Sequence, residues 1–249
     1  MRHRRPGGLR LALTPVLVGV ALLLLYLWVH TADVPPEEAA VLSPDFIGTR
    51  LTQHVELTVV SFLVAAALAL PLGVAAARAG RAVRLPVLLA ANLGQAIPSI
   101  ALLALVFTVT GFTFRTTVIA LVVYAVLPIL RNTMAGLRGV DPDAVEAARG
   151  MGMSPTQVLL RVELPLASPV VFAGLRTALV LVVGTATLGN FVGGGGLGDV
   201  IESGLAAAGL EPASRIVVVG AVLVAALALL ADWLLSLVER AVVPTWEDG

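Results

Sequence analysis

The stretch of this chain that most resembles a chemical site is Gly193-Gly194-Gly195-Gly196-Leu197-Gly198-Asp199. Glycine-rich turns can cradle phosphates, but a nucleotide loop also needs a lysine for the β/γ-phosphates and a hydroxyl for magnesium. The chain has no lysine; its sixteen basic residues are all arginine. This run therefore does not hydrolyse ATP by itself. Cysteine is absent as well, which removes disulfides, thiolate metal sites and cysteine nucleophiles. The three histidines, His3, His30 and His54, fall in a basic tail and near a membrane boundary. They are not at ligand spacing, so solvated or interfacial positions are expected of them and no metal site is. With no catalytic set and no cofactor site, the chain does not read as an enzyme.

Composition says what surrounds these residues. Apolar residues make up 58% and charged residues 13%, against about 45–50% and about 25% in globular chains. Mean hydropathy is +0.98. Six apolar stretches, residues 11–32, 57–77, 85–109, 116–136, 168–191 and 216–238, are each long enough to cross about 30 Å of hydrocarbon as a helix. The expected fold is all-α: a polytopic membrane helical bundle of about six transmembrane helices. A soluble enzyme, a disordered chain and a disulfide scaffold are excluded, and the bilayer rather than nucleic acid is the expected surrounding. The first stretch follows Arg2, Arg4, Arg5 and Arg10 and carries Tyr26 and Trp28. It is longer than the roughly 7–15-residue apolar core of a signal peptide, so a retained helix is expected.

The arginines set an orientation. With the N-terminus in the cytoplasm, Arg2, Arg4, Arg5, Arg10, Arg78, Arg81, Arg84, Arg131, Arg138, Arg149, Arg161, Arg176 and Arg240 gather on that side. Only Arg50, Arg115 and Arg215 fall outside. Thirteen against three is a positive-inside bias that places both termini in the cytoplasm. Arg176 and Asp232 lie within the fifth and sixth stretches, toward the cytoplasmic side, where charges usually pair; snorkelling by Arg176 is the alternative. Pro71, Pro98 and Pro128 predict kinks or a broken helix lining a path. Ala65, Ala69, Gly73 and Ala77 make a small-residue face for a close helix, in this chain or another. Asp199, Glu202 and Glu211 are expected to be solvated rather than docking groups.

The longest polar segment, residues 137–167, is the most structured by its own sequence. Asp141-Pro142 is an N-cap acceptor followed by proline at the first helical position. Asp143 and Glu146 suit the positive end of that helix. A helix over residues 142–149 is expected, with Gly150 and Gly152 permitting a reversal. Ser154-Pro155 starts a second helix by the same device, expected to end near Leu164-Pro165. Two capped helices on the cytoplasmic face make a docking element that leans on a partner.

Here the residues match a known pattern. Glu146-Ala147-Ala148, then Gly152, then Val162-Glu163-Leu164-Pro165 resembles the EAA motif of type I ABC-importer permeases, with Val162 where isoleucine is usual. The resemblance implies that this loop is the coupling helix, seated in a groove of an ATP-binding subunit. Glu146 would make the polar contact, Ala147 and Ala148 would allow close approach, and Gly152 the turn; Val162, Leu164 and Pro165 complete the motif. It also implies two ATP-binding subunits, a second permease copy (the same or a similar chain) and an extracytoplasmic substrate-binding protein. ATP hydrolysis would reside on the partner. The implied layout is an N-terminal transmembrane helix and external linker over 1–47, the transmembrane domain over 48–240, and a cytoplasmic tail over 241–249.

Two further runs resemble permeases for glycine betaine, choline and carnitine: residues 92–103, containing Asn92, Gln95, Pro98 and Ser99, and residues 184–199, containing Thr185, Thr187 and Asn190. The resemblance favours a quaternary-amine osmoprotectant as substrate. A methionine- or other amino-acid-type permease is the alternative, and an ion-coupled secondary transporter is the rival from another class. With three Trp, two Tyr and seven Phe in the chain, an aromatic cage for a quaternary ammonium is not expected within it. The path would need only weak polar contacts, for which Asn92, Gln95, Ser99, Thr185, Thr187 and Asn190 are candidates. Interhelical hydrogen bonding is the other use of these six.

Overall fold

The computed structural model describes residues 8–31, 35–206 and 213–243. Within them the order is α1 (Gly8–His30), α2 (Pro36–Val41), α3 (Pro44–Arg78), α4 (Arg81–Ala96), α5 (Ser99–Thr110), α6 (Phe114–Arg138), α7 (Pro142–Gly150) and α8 (Pro155–Val158). A π-turn (Leu159–Glu163), α9 (Leu164–Ala186), a 3-10 turn (Thr187–Val192), α10 (Gly198–Ala206) and α11 (Ala213–Val242) complete it. Among the described residues five helical segments are long and apolar enough to cross a membrane, and α4 with α5, bent by 100° at their junction, would be a sixth if the pair is taken as one span. The bundle is all-α, as its apolar stretches require.

Three of the helices form the centre. Ala65, Ala69 and Ala76 of α3 meet Leu121, Ala125, Ile129 and Leu130 of α6 and Val171, Ala178, Val182 and Ala186 of α9 in one buried cluster. Small residues permit this proximity, because in lipid close packing rather than a hydrophobic drive brings helices together. The small-residue face of α3 turns to α6 of the same chain: a Cβ at Gly73 would lie 2.7 Å from that of Thr133. Around the centre, α4 and α5 lie on α6, α11 on α9, and α1 on α11. Helix α1 buries little beyond Val18 and leaves Leu13, Leu17, Leu24 and Leu27 outward, as expected for a helix facing lipid.

The third apolar stretch is not one helix. Pro98 has no N–H to continue the ladder, and Ile97 before it is held extended at φ −75°, ψ 128°. The chain turns there and restarts at Ser99. Pro128 stays inside α6, which strips the Tyr124 carbonyl, four residues back, of its usual donor. The Gln95 amide supplies one at 2.7 Å. In return the Tyr124 hydroxyl donates to the Ile97 carbonyl at the break. Two proline defects on neighbouring helices are thus satisfied by each other's element, as hydrocarbon demands.

The fifth stretch departs from expectation at its start. The second loop helix does not end near Leu164-Pro165; it runs through the π-turn into α9, making one helical segment over residues 155–192. The Leu164 N–H bonds back to the Leu159 carbonyl, five residues earlier. This wider turn accommodates Pro165, whose ring and missing N–H would otherwise interrupt an α-ladder.

At Gly174 α9 lies so near α6 that a Cβ would stand 2.5 Å from that of Asn132 and 2.8 Å from the Pro128 carbonyl oxygen. Gly174→Ala is expected to lower stability by about 1–3 kcal/mol through overpacking. Gly19→Ala, where a Cβ meets nothing within 4 Å, should leave the thermal unfolding midpoint in detergent unchanged. Equal midpoints for the two variants would contradict this packing.

Candidate coupling loop and glycine-loop site

At one end of the bundle, helix α7 is defined by its caps. Asp141 accepts from the Asp143 N–H at 3.0 Å, with Pro142 in the first turn. At its C-terminus the Gly152 N–H bonds to the Arg149 carbonyl (2.9 Å) and the Met153 N–H to the Ala148 carbonyl (3.2 Å). That is a Schellman closure, and it requires Gly152 at φ +81°, a conformation costly for any residue with a Cβ. Ser154 and Gln157 then form a reciprocal capping box that opens α8. The expected reversal between two capped helices is present.

The motif residues divide by direction. Glu146, Ala147 and Gly152 are exposed, as is Met151 beside them, whereas Ala148 is 1% exposed and faces the chain's own interior. Val162 sits in the π-turn, and Leu164 and Pro165 open α9 half-buried. Glu163 accepts from Arg78, the last residue of α3, at 2.5 Å. This contact was not legible from spacing, because its partners are 85 positions apart.

At the opposite end, the glycine run is pinned to α3. Gly193, Gly195 and Gly196 have φ of +87°, +67° and +96°. Gly196 N–H donates to Gln53 Oε1 (3.2 Å), and Leu197 N–H to His54 Nδ1 (3.2 Å). With Nδ1 accepting, Nε2 carries the proton and donates to the Val183 carbonyl at 3.0 Å. His54 is thus fully buried and bridges two elements, which corrects the expectation of a solvated or interfacial role. Residues from three parts of the chain make this bridge, so no local pattern announces it. His30 is exposed and stacks on Tyr26, and His3 lies outside the described residues.

The acidic residues at this end are not simply solvated either. Asp199 pairs with Arg50 at 2.8 Å, and Glu202 accepts from Asn190 Nδ2 at 2.6 Å. Burial pushes the Asp199 carboxyl above the usual range; Arg50 opposes this and Glu202 adds to it. Glu211 lies outside the described residues. Arg215 of α11 reaches Glu38 of α2 at 3.3 Å and the Trp28 ring of α1 at 5.8 Å, joining the first helix to the last.

The six polar candidates for a path fall in two groups. Asn92 accepts from Arg131, Gln95 serves the Tyr124 carbonyl, and Ser99 opens α5 just after the break. Thr185 lies half-buried in the last turn of α9, Thr187 bonds back to Gly184, and Asn190 is held by Glu202. Helix α5, which Ser99 opens, packs on the 3-10 turn that carries Thr187 and Asn190, with Leu102, Leu103 and Val192 in one buried cluster. Within α9 and α11 the intramembrane charges do pair: Arg176 Nε and Nη2 donate to the two oxygens of Asp232 at 2.7 and 2.6 Å. Glu239 stands 3.7 Å from the same guanidinium. No group of three or more metal-ligating side chains occurs among the described residues.

A polytopic bundle with a capped loop helix at one end agrees with what known proteins show. Residues 69–244 match the family described as binding-protein-dependent transport system inner membrane component. The chain belongs to this family. The permease is 42% identical over 199 residues to a carnitine transport permease protein, OpuCD, of Listeria monocytogenes serotype 1/2a (strain 10403S), covering 80% of this chain and 87% of that one. It is 40% identical over 199 residues to a glycine betaine/carnitine/choline transport system permease protein, OpuCD, of Bacillus subtilis (strain 168), covering 80% and 85%. A choline transport system permease protein, OpuBB, of the same organism is 38% identical over 192 residues, covering 77% and 86%. Among solved structures, the inward facing MetNI methionine ABC transporter superposes with a TM-score of 0.67 at 25% identity, covering 80% of this chain and 96% of that one. The permease is thus a multi-pass transport subunit, and the ion-coupled secondary transporter is set aside.

His54→Ala is expected to orphan the buried Leu197 N–H, a loss of about 1–3 kcal/mol before any cavity is counted. Amide exchange across residues 193–198 should accelerate while that of α7 stays unchanged. Unaltered protection of the glycine run would contradict the role given to this imidazole.

Proposed function

We propose that this permease moves a quaternary-amine osmoprotectant of the glycine betaine, carnitine or choline type into the cell, by alternating access driven by a separate ATPase. The observation that carries the substrate class is the similarity, over about four fifths of the chain, to permeases named for those three compounds. Two ATP-binding subunits would dock at the α7 end. A second permease copy would complete the pore, and a substrate-binding protein would deliver cargo at the glycine-loop end. On this reading the α7 end is cytoplasmic, as the arginine distribution favours, and both termini lie on that side.

The geometry supports a division of labour. Exposed Glu146 and Ala147 meet the ATPase groove, Gly152 holds the reversal, and Ala148 keeps α7 on its own chain. Force on α7 passes through α8 and the π-turn, with Val162, Leu164 and Pro165, into α9 along one helical segment. ATP hydrolysis belongs to the partner chain, since the glycine run here lacks a lysine and is committed to Gln53 and His54. For the path, the wall formed by the α4–α5 break and the end of α9 offers Asn92, Gln95, Ser99, Thr185, Thr187 and Asn190. A quaternary ammonium cannot donate a hydrogen bond, so a weakly polar wall suits its passage, and tight binding is left to the external protein.

Two measurements test this. In liposomes carrying the assembled transporter and its binding protein, uptake of labelled glycine betaine, choline, carnitine and methionine is compared. Uptake of at least one of the first three and none of methionine is expected; methionine uptake alone would overturn the substrate class. Glu146→Arg and Gly152→Trp should each reduce ATPase co-purification by about tenfold or more, equivalent to roughly 1.4 kcal/mol, while insertion in the membrane is preserved. ATPase retention by both variants would sink the coupling role.

A further inference from the structure

Where the loop segment enters the bundle, three features coincide. The first is the π-turn Leu159–Glu163, a rare geometry interrupting an otherwise continuous helical segment. The second is the Arg78–Glu163 ion pair, which ties that turn to the end of α3. The third is an apolar cavity of about 560 Å³ beside the turn, lined by Leu70 and Val74 of α3, Leu160, Leu164, Phe172 and Val242, among others. Leu70, Val74 and Arg78 lie four residues apart on one face of α3. The same face of α3 that lines the cavity therefore carries the arginine that holds the turn.

From this juxtaposition we infer that Arg78 and Glu163 are positioning residues for transport: a latch that sets the register of the π-turn, and through it the rotation of α9 relative to the loop. A π-turn holds one residue more than the α-helix it interrupts. Closing it to α-geometry, with Pro165 then tolerated inside the ladder as Pro128 is inside α6, would rotate the loop side against α9 by about 100° and shift it by about 1.5 Å. Such a move needs room and a restraint that can be released. The cavity beside Leu160 and Leu164 gives the room. The pair gives the restraint: Arg78 is 43% exposed and Glu163 15%, so solvent reaches the pair from the guanidinium side and weakens it. Its short, charge-assisted bond still fixes geometry while it lasts. A weak but directional contact suits a joint that must open and re-form in every cycle, whereas a buried pair would not.

This inference rests on the reading of α7 as the ATPase-coupling helix, and its test separates the two. The assembled transporter is reconstituted with Arg78→Gln, Glu163→Gln, the exchange Arg78→Glu with Glu163→Arg, and Glu146→Arg as reference. ATPase co-purification, ATP hydrolysis and substrate moved per ATP are measured for each. The two single variants should keep ATPase association and hydrolysis but move about threefold less substrate per ATP or lower. The exchange should recover at least part of that ratio, because it re-forms the ion pair in the opposite sense; a purely structural defect would lower association and hydrolysis as well. Wild-type ratios in both single variants, or an exchange no better than the singles, would overturn the latch. If Glu146→Arg releases the ATPase in the same experiment, the coupling reading survives that failure; if it does not, the coupling reading itself falls.

Discussion

In hydrocarbon an unpartnered backbone carbonyl costs several kcal/mol, and no water is present to relieve it. The centre of this permease is arranged around that constraint. Pro98 and Pro128 each break a ladder, on adjacent helices, and the two breaks are resolved by Gln95 and Tyr124 reaching across in opposite directions. At the bend of 100° between α4 and α5, α6 supplies the donor for the Ile97 carbonyl. Two side chains that would otherwise read as path or core residues thus hold the elbow to the central helix.

The same constraint shapes both ends. At the glycine-loop end, successive positive φ angles leave N–H groups without ladder partners. Gln53 and His54 of α3 take them up, and His54 passes the connection on to α9 through the Val183 carbonyl. At the α7 end, a capping aspartate, a Schellman closure and a capping box satisfy the ends of α7 and the start of α8 locally. One end is built from long-range bonds and is rigidly tied to the core. The other is built from local bonds and meets the rest of the chain through buried Ala148 and Val158, the π-turn into α9 and the partly exposed Arg78–Glu163 pair.

The intramembrane charges show how far a sequence reading reaches. Arg176 and Asp232 were suited to pair because isolated charges in a bilayer are costly, and their bidentate contact follows. Nothing in the spacing indicated that Glu239 would join them, since that depends on which face α11 turns to α9. Arg50 and Asp199 pair for the same kind of reason, although each alone reads as a solvated surface charge.

By itself the sequence determined the all-α membrane class, the approximate spans, the capped loop helices and the family. These rest on local physics: apolar length against bilayer thickness, proline and glycine stereochemistry, and N-cap acceptors. Only the tertiary structure decided that the third apolar stretch is an elbow held to α6, that His54 is a buried bridge and that Arg78 holds Glu163. Each of those depends on residues far apart in the chain meeting at one point, and packing geometry selects such meetings where local pattern cannot.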